Sequence, residues 1–192
     1  MMLARLLAND NAKDSSLHRD MVEFGKSSGL FSDISIRQFG KEGDPFQILV
    51  KTGGRSRNLI DVGYGVSQVL PILAEVLRPG GATTFLIQQP EVHLHPQAQA
   101  ALASLLASVS QERGTQFIIE THSDYILDRL RMDVRDKEEI RADDILILYF
   151  ERTKEGTKIH PIRFDEIGNV LDAPPGYRQF FLDESARSFG IV

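Results

Sequence analysis

A chain of 192 residues with 42% hydrophobic content can bury roughly 70% of its unfolded surface, which suits one domain around one core, without covalent staples. Its lack of cysteine excludes disulfides and thiolate metal sites. No apolar run approaches the roughly 20 residues of a membrane span, and Met1 to Asp10 lacks a signal-peptide core, so no membrane contact and a cytoplasmic location are expected. A net charge of -5 argues against a surface shaped overall for nucleic acid. Lys51, Arg55 and Arg57 form the one compact basic patch, and because Gly53-Gly54 lies inside it, the patch reads either as an exposed hairpin turn or as a DNA contact.

In chain order, Leu17, Met21 and Phe24 recur at helical spacing, predicting a helix that ends near Gly29. Three short strands follow, Ile34 to Phe39, Phe46 to Val50 and Arg57 to Val62, as in a meander. The stripe Val66, Val69, Leu70, Leu73, Val76 and Leu77 predicts a helix stopped by Pro79-Gly80-Gly81. An apolar strand around Phe85 to Ile87 precedes a helix opened by Pro96, faced by Leu102, Leu105, Leu106 and Val109, and closed by Gly114. After a strand at Gln116 to Ile119, Ser123 can cap a helix carrying Ile126, Leu127 and Leu130. Ile145 to Phe150 reads as a strand buried on both faces, turning at Glu155-Gly156 into a partner near Ile159 to Phe164. The alternation of helix and strand predicts an α/β fold with a mostly parallel sheet flanked by helices, behind an N-terminal strand meander.

The chemistry concentrates where two apolar strands stop. Thr83 to Pro96 reads Thr-Thr-Phe-Leu-Ile-Gln-Gln-Pro-Glu-Val-His-Leu-His-Pro, and Gln116 to Ile119 runs into Glu120-Thr121-His122-Ser123-Asp124. In an open α/β sheet, ligands bind at the carboxyl ends of the strands. An apolar strand followed by two acids would hold Mg²⁺ and polarise water in a nucleotide triphosphatase; here Gln88 and Gln89 fill both positions. The turn from Asp61 to Gln68, with Gly63 and Gly65, puts backbone N–H groups at a helix start, which serves either a phosphate or ordinary capping. Glu91, His93, His95 and His122 permit a transition-metal reading, against a loop folded for packing and capping.

Taken in order, Gly-Tyr-Gly-Val-Ser-Gln, Phe-Leu-Ile-Gln-Gln-Pro-Glu-Val-His-Leu-His-Pro and Glu-Thr-His-Ser-Asp resemble the signature, Walker B and switch-histidine motifs of ABC-type ATPases of the RecF/SMC and OLD-like kind. Bacterial predicted AAA/ABC-type ATPases share the Pro-Glu-x-His-Leu-His-Pro continuation, and Gly168 to Gly190 looks like the short C-terminal domain of that group. The resemblance runs from about Leu59 to Val192 and implies a P-loop NTPase fold. It also implies three divisions: 1–58 as the remnant of the lobe preceding the signature, 59–164 as the ATPase core and 165–192 as a tail domain.

What the resemblance implies for single residues follows position by position. Gly63, Gly65, Ser67 and Gln68 match the loop that contacts the γ-phosphate of a nucleotide held by the opposite subunit. Gln88 stands at the Mg²⁺ position and Gln89 at the water-polarising one, so hydrolysis is expected to be slow or assigned elsewhere. Glu91 is either a substitute carboxylate or a brace for the loop, and His122 matches the γ-phosphate sensor, against a helix-capping histidine satisfied by backbone. A Walker A loop is missing: Gly25-Lys26-Ser27 has Asp20 where the first glycine belongs and reads as a helix end. The chain therefore resembles the C-terminal portion of an ATPase, naturally split, truncated or degenerate. ATP and Mg²⁺ are expected only in the complete domain, which would act as a homodimer or with a Walker A-bearing partner or segment. Nucleic acid and an effector subunit are open partner classes. A non-hydrolysing interaction module that keeps the fold is the alternative.

Overall fold

The computed structural model describes residues 16–40, 45–78, 80, 83–136 and 140–190. Met1 to Asp10, and Pro79 and Gly81 of the expected helix stop, lie outside the described residues. Two compact units divide the chain, Met1–Leu130 and Arg131–Val192.

Within the first unit, helix α1 (Ser16–Ser27) buries Leu17, Met21, Phe24 and Gly25. A Cβ at Gly25 would clash with the ring edge and the carbonyl oxygen of Phe31. The glycine of Gly25-Lys26-Ser27 thus serves close packing at a helix end, in keeping with the helix-end reading of that triplet. Strands β1 (Asp33–Gln38), β2 (Phe46–Thr52) and β3 (Arg55–Asn58) form an antiparallel meander in which Val50 pairs with both Ile34 and Arg57. Between β2 and β3, Gly53 and Gly54 take φ of 55° and 85°, the left-handed pair that a two-residue hairpin turn requires. Lys51, Arg55 and Arg57 flank it, exposed. The third strand is shorter than expected: the Asn58 side chain accepts the Ile60 N–H at 3.3 Å and caps a single 3₁₀ turn over Leu59–Asp61, ending the pairing at Asn58 instead of Val62.

Helix α2 (Tyr64–Val76) turns Val66, Val69, Leu70, Leu73 and Val76 inward. Pro71 lies inside it, where a missing N–H ordinarily costs about 3 kcal/mol. Full burial of apolar side chains such as Leu70 and Leu73, worth about 1.5–3 kcal/mol each, offsets that cost. Helix α3 (Pro96–Arg113) starts on Pro96 and stops at Gly114, whose φ of 63° only glycine adopts freely. Leu102, Leu106 and Val109 join α1 and α2 in one apolar cluster.

Beside this cluster, β4 (Thr84–Gln88) and β5 (Gln116–Glu120) pair in parallel, residue for residue from Thr84 with Gln116 to Gln88 with Glu120. Phe85 and Phe117 stack at 5.4 Å against the core. Leu86 and Ile118 point the other way, 78% and 55% exposed. Among the described residues, parallel pairing occurs in this pair alone; the remaining sheets are antiparallel.

Helix α4 (Asp124–Arg135) begins in the first unit and ends in the second, with Ser123 Oγ accepting the Ile126 N–H at 3.1 Å as its cap. In the second unit a 3₁₀ turn (Ala142–Asp144) leads into β6 (Ile147–Thr153), β7 (Gly156–Phe164) and β8 (Val170–Leu171), followed by α5 (Gln179–Ser188). β6 is not buried on both faces, because it sits in an antiparallel sheet with Leu148 and Phe150 open to solvent and only alternate residues covered. Asp165 accepts from Asn169 N–H and Nδ2, both at 2.8 Å, and from Ile167 N–H at 3.0 Å; the Asn169 backbone bond leads in holding its pKa below the usual carboxylate range. Among the described residues no helix is long and apolar enough to cross a membrane.

Candidate functional site

Because β4 and β5 pair in register, their last residues lie level. The Gln89 N–H donates to the Glu120 carbonyl at 2.8 Å and carries the pairing one step past β4, where Gln89 itself adopts a φ of 44°. Val92 N–H then donates to Gln89 O at 3.2 Å, closing a tight turn. Left-handed backbone at a non-glycine residue is uncommon and is held here by bonds on both sides. Side by side, the two amides face one carboxylate: Gln88 Nε2 donates to Glu120 Oε2 at 3.2 Å and Gln89 Nε2 to Glu120 Oε1 at 3.4 Å. A carboxylate only accepts, so each amide must present its NH₂ and leave its carbonyl oxygen outward.

Glu91 lies one turn further on and is 9% exposed. Its Oε1 accepts the His122 N–H at 2.8 Å, a charge-assisted bond of the stronger class. No donor among the described residues reaches its Oε2. The Glu91 carbonyl accepts from Leu94 N–H at 2.9 Å, and Gln99 Nε2 donates to Leu94 O at 2.7 Å while its Oε1 accepts the Ser123 hydroxyl. Two independent bridges therefore tie the loop after β4 to the loop after β5. The His122 ring stands exposed with no bonding partner among the described residues.

The remaining histidines have local work. His95 Nδ1 accepts the Ala98 N–H at 3.4 Å as the cap of α3, and His93, at φ 65°, lays its ring 5.4 Å from that of Tyr64. These are the packing and capping contacts of the alternative to a transition-metal site. Among the described residues no group of three or more His, Asp or Glu is disposed to hold a metal ion.

At the start of α2, the N–H groups of Val66 and Ser67 both turn to Gly63 O, at 3.1 and 3.4 Å, and Ser67 Oγ donates to Leu59 O at 3.3 Å. Gly63 and Gln68 are exposed. The turn touches the far part of the β4 loop: a Cβ on Gly65 would meet His93 O at 2.6 Å. Gln88, Gln89, Glu91 and His122 thus come together at one strand edge, while Gly63, Gly65, Ser67 and Gln68 form a second patch joined to it through His93 and Leu94. Sequence reasoning left Glu120 out of the site. Its signal is the parallel pairing with Gln88, which appears only once the two strands are aligned.

The contact at Gly65 yields a stability test. Helix propensity alone would reward Gly65→Ala by roughly 1 kcal/mol. The His93 carbonyl is backbone and cannot step aside, so the expected result is a net loss of about 1–3 kcal/mol in urea unfolding. Gly63→Ser, at the helix cap in open space, should change stability by only a few tenths of a kcal/mol. Equal midpoints for Gly65→Ala and the parent chain would show that the close approach is absent.

Residues 5–128 match the family described as AAA domain, putative AbiEii toxin, Type IV TA system. The chain belongs to this AAA-domain family. An OLD nuclease of Thermus scotoductus (strain ATCC 700910 / SA-01) is 26% identical over 106 residues, which is 54% of this chain and 20% of that protein. The chain therefore spans about a fifth of that relative's length. Among solved structures, one described for ATP-driven dimerization and DNA-stimulated activation of SMC ATPases superimposes with a TM-score of 0.56 at 16% identity, covering 95% of this chain and 96% of the other. An SmcHead bound to the C-winged helix domain of ScpA gives a TM-score of 0.57 at 16% identity, covering 79% of this chain and 43% of the other. At such identity these likenesses establish the fold, that of the P-loop NTPases.

Membership makes this an ATPase-family AAA domain of α/β class, and nucleotide with Mg²⁺ is the general cofactor pair of such domains. The matched stretch contains both patches, the strand-end edge and the turn at Gly63 to Gln68.

Proposed function

We propose that this chain is the portion of an ABC-type ATPase that carries the signature turn, the Walker B strand and the switch histidine, and that it works as a nucleotide-driven dimer when a phosphate-wrapping loop is supplied by a further segment or a partner. The observation that carries this reading is the level ending of β4 and β5, which brings Gln88, Gln89 and Glu120 into hydrogen-bond contact beside the Glu91–His122 bridge. In this reading His122 senses the γ-phosphate with its exposed ring, and Glu91 braces His122 through the backbone. Gln89 orients water without accepting its proton, so turnover is slow. Gly63, Gly65, Ser67 and Gln68 meet the nucleotide of the opposite subunit. The ATPase core is assigned to residues 59–164 and the tail to 165–192.

Mg²⁺ fits the donors present, since amide and carboxylate oxygens suit a hard cation. Gln88 is the residue that would hold it in this reading, and when bound it neutralises phosphate charge. Nucleic acid, after the names of the OLD nuclease and the DNA-stimulated SMC ATPase, or a bound subunit, after the SmcHead with ScpA, is the proposed partner class. A second reading, a non-hydrolysing interaction module, is favoured by one observation: both amides face Glu120, and neither carries a charge of its own.

Titrating the chain with ATP and Mg²⁺ tests the proposal. Without a phosphate-wrapping loop, binding should fall in the millimolar range, with the His122 ring resonances shifting. A micromolar dissociation constant, equivalent to about 8 kcal/mol, would show that other residues of this chain wrap the phosphates. Saturation without any shift at His122 would remove that residue from the site.

A further inference from the structure

We propose that Glu120 on β5, and no residue of β4, supplies the negative charge for a divalent cation at the strand ends, with the side-chain carbonyl oxygen of Gln88 as a neutral co-ligand and Gln89 beside it. The inference rests on the ATPase reading above and names the carboxylate that reading lacks. Glu120 is exposed, and no cation pairs with it among the described residues; its side-chain partners are two neutral NH₂ groups at 3.2 and 3.4 Å, the long end of the hydrogen-bond range. Those amide hydrogens put partial positive charge where a cation would sit. The oxygen and nitrogen of an amide are nearly equal in size, so rotating each terminal amide by half a turn exchanges donor for acceptor without moving the backbone. An amide oxygen from β4 and a carboxylate from β5 are then both available at the strand ends. One carboxylate together with substrate phosphates is an ordinary complement for Mg²⁺.

Glu91, the nearer acid in sequence, is unsuited to this task. It is 9% exposed, and its Oε1 is committed to the His122 N–H at 2.8 Å. Cation binding through Glu91 would have to break the bridge that positions the histidine. Glu120 binds nothing that the fold needs, since its backbone, and not its side chain, carries the parallel pairing.

Mn²⁺ added to the intact chain reads this out at the residues concerned, because a bound paramagnetic ion broadens nearby resonances. In the parent chain the side-chain NH₂ signals of Gln88 and Gln89 should broaden at low Mn²⁺, and Glu120→Gln should require at least tenfold more Mn²⁺ for the same broadening. Glu120→Asp should recover part of the effect, and Gln88→Glu should sharpen the Mn²⁺ requirement at least tenfold by adding a second carboxylate. Unchanged amide spectra elsewhere certify the fold of each variant. Equal broadening in the parent chain and Glu120→Gln, or none at millimolar Mn²⁺, overturns the proposal. No nucleotide enters the measurement, so its outcome separates from that of the ATP titration. A chain that binds Mn²⁺ through Glu120 yet shows no ATP binding at all overturns the ATPase reading and keeps the cation site.

Discussion

Gln89→Glu is expected to raise phosphate release by about 10²-fold or more in a version of this domain that includes a phosphate-wrapping loop, while His122→Ala lowers it. Glutamine can hold a water by its amide oxygen but cannot take the proton that a positioned carboxylate removes, and general-base catalysis typically contributes 10²–10⁴-fold. The surroundings sharpen the expectation. Gln89 Nε2 lies 3.4 Å from Glu120 Oε1, so a glutamate at this position faces a like charge, which pushes one carboxyl of the pair upward and makes it a better base near neutral pH. The same repulsion should lower the melting temperature of Gln89→Glu in chelator and be relieved by Mg²⁺. His122→Ala leaves the Glu91 bond intact, because that bond uses the backbone N–H; a loss of rate there reports the ring alone. Unchanged release in both variants would exclude Gln89 and His122 from the mechanism.

Ser67→Arg is expected to abolish nucleotide-dependent dimerisation in the same version, read by light scattering with a non-hydrolysable ATP analogue. Gly63 and Gln68 are exposed, as is Tyr64, and the hydrogen bonds of this turn run inward to Gly63 O and Leu59 O, so its outer side is open among the described residues of the first unit. A head-to-tail dimer would use that side against the partner's nucleotide and close two composite sites. Ser67 is half-buried and its hydroxyl donates to Leu59 O, so arginine there changes local packing as well as charge. Gln68→Glu serves as the companion, since it is exposed and sets a negative charge against a triphosphate with little cost to the fold. Normal dimer growth in both variants would reduce the segment from Gly63 to Gln68 to a helix cap.

Much of this architecture is legible in the order of residues, for reasons that differ by element. α2 announces itself through Val66, Val69, Leu70 and Leu73, because a 3.6-residue period leaves a one-sided stripe that survives even an internal Pro71. Pro96, Gly114 and Ser123 mark helix ends because their backbone or hydroxyl chemistry is local. Strand environment is not local. The apolar run from Ile145 to Phe150 looks the same whether its second face is covered or open, and only the antiparallel partner β7 decides that Leu148 and Phe150 face solvent. β3 ended early for a similar reason, since the Asn58 side chain competes for a backbone N–H that the ladder would otherwise use. At the site, Gln88, Gln89, Glu91 and His122 stand out as polar residues at the ends of apolar strands. Glu120 ends an apolar strand in the same way, but its contact with Gln88, 32 residues away, appears only once the two strands are aligned.

The bridge through Glu91 also bears on how any affinity of this domain should be measured. From His122 the contacts run to Glu91, from the Glu91 carbonyl to Leu94, and from the adjoining His93 carbonyl to Gly65 at the outward-facing turn. Direct contacts thus link the proposed phosphate sensor to the proposed subunit face. In such an assembly, whatever factor nucleotide adds to self-association, self-association returns to nucleotide binding. An apparent dissociation constant for ATP would then fall as protein concentration rises, and a value taken on dilute protein would describe the separated subunit rather than the assembled site.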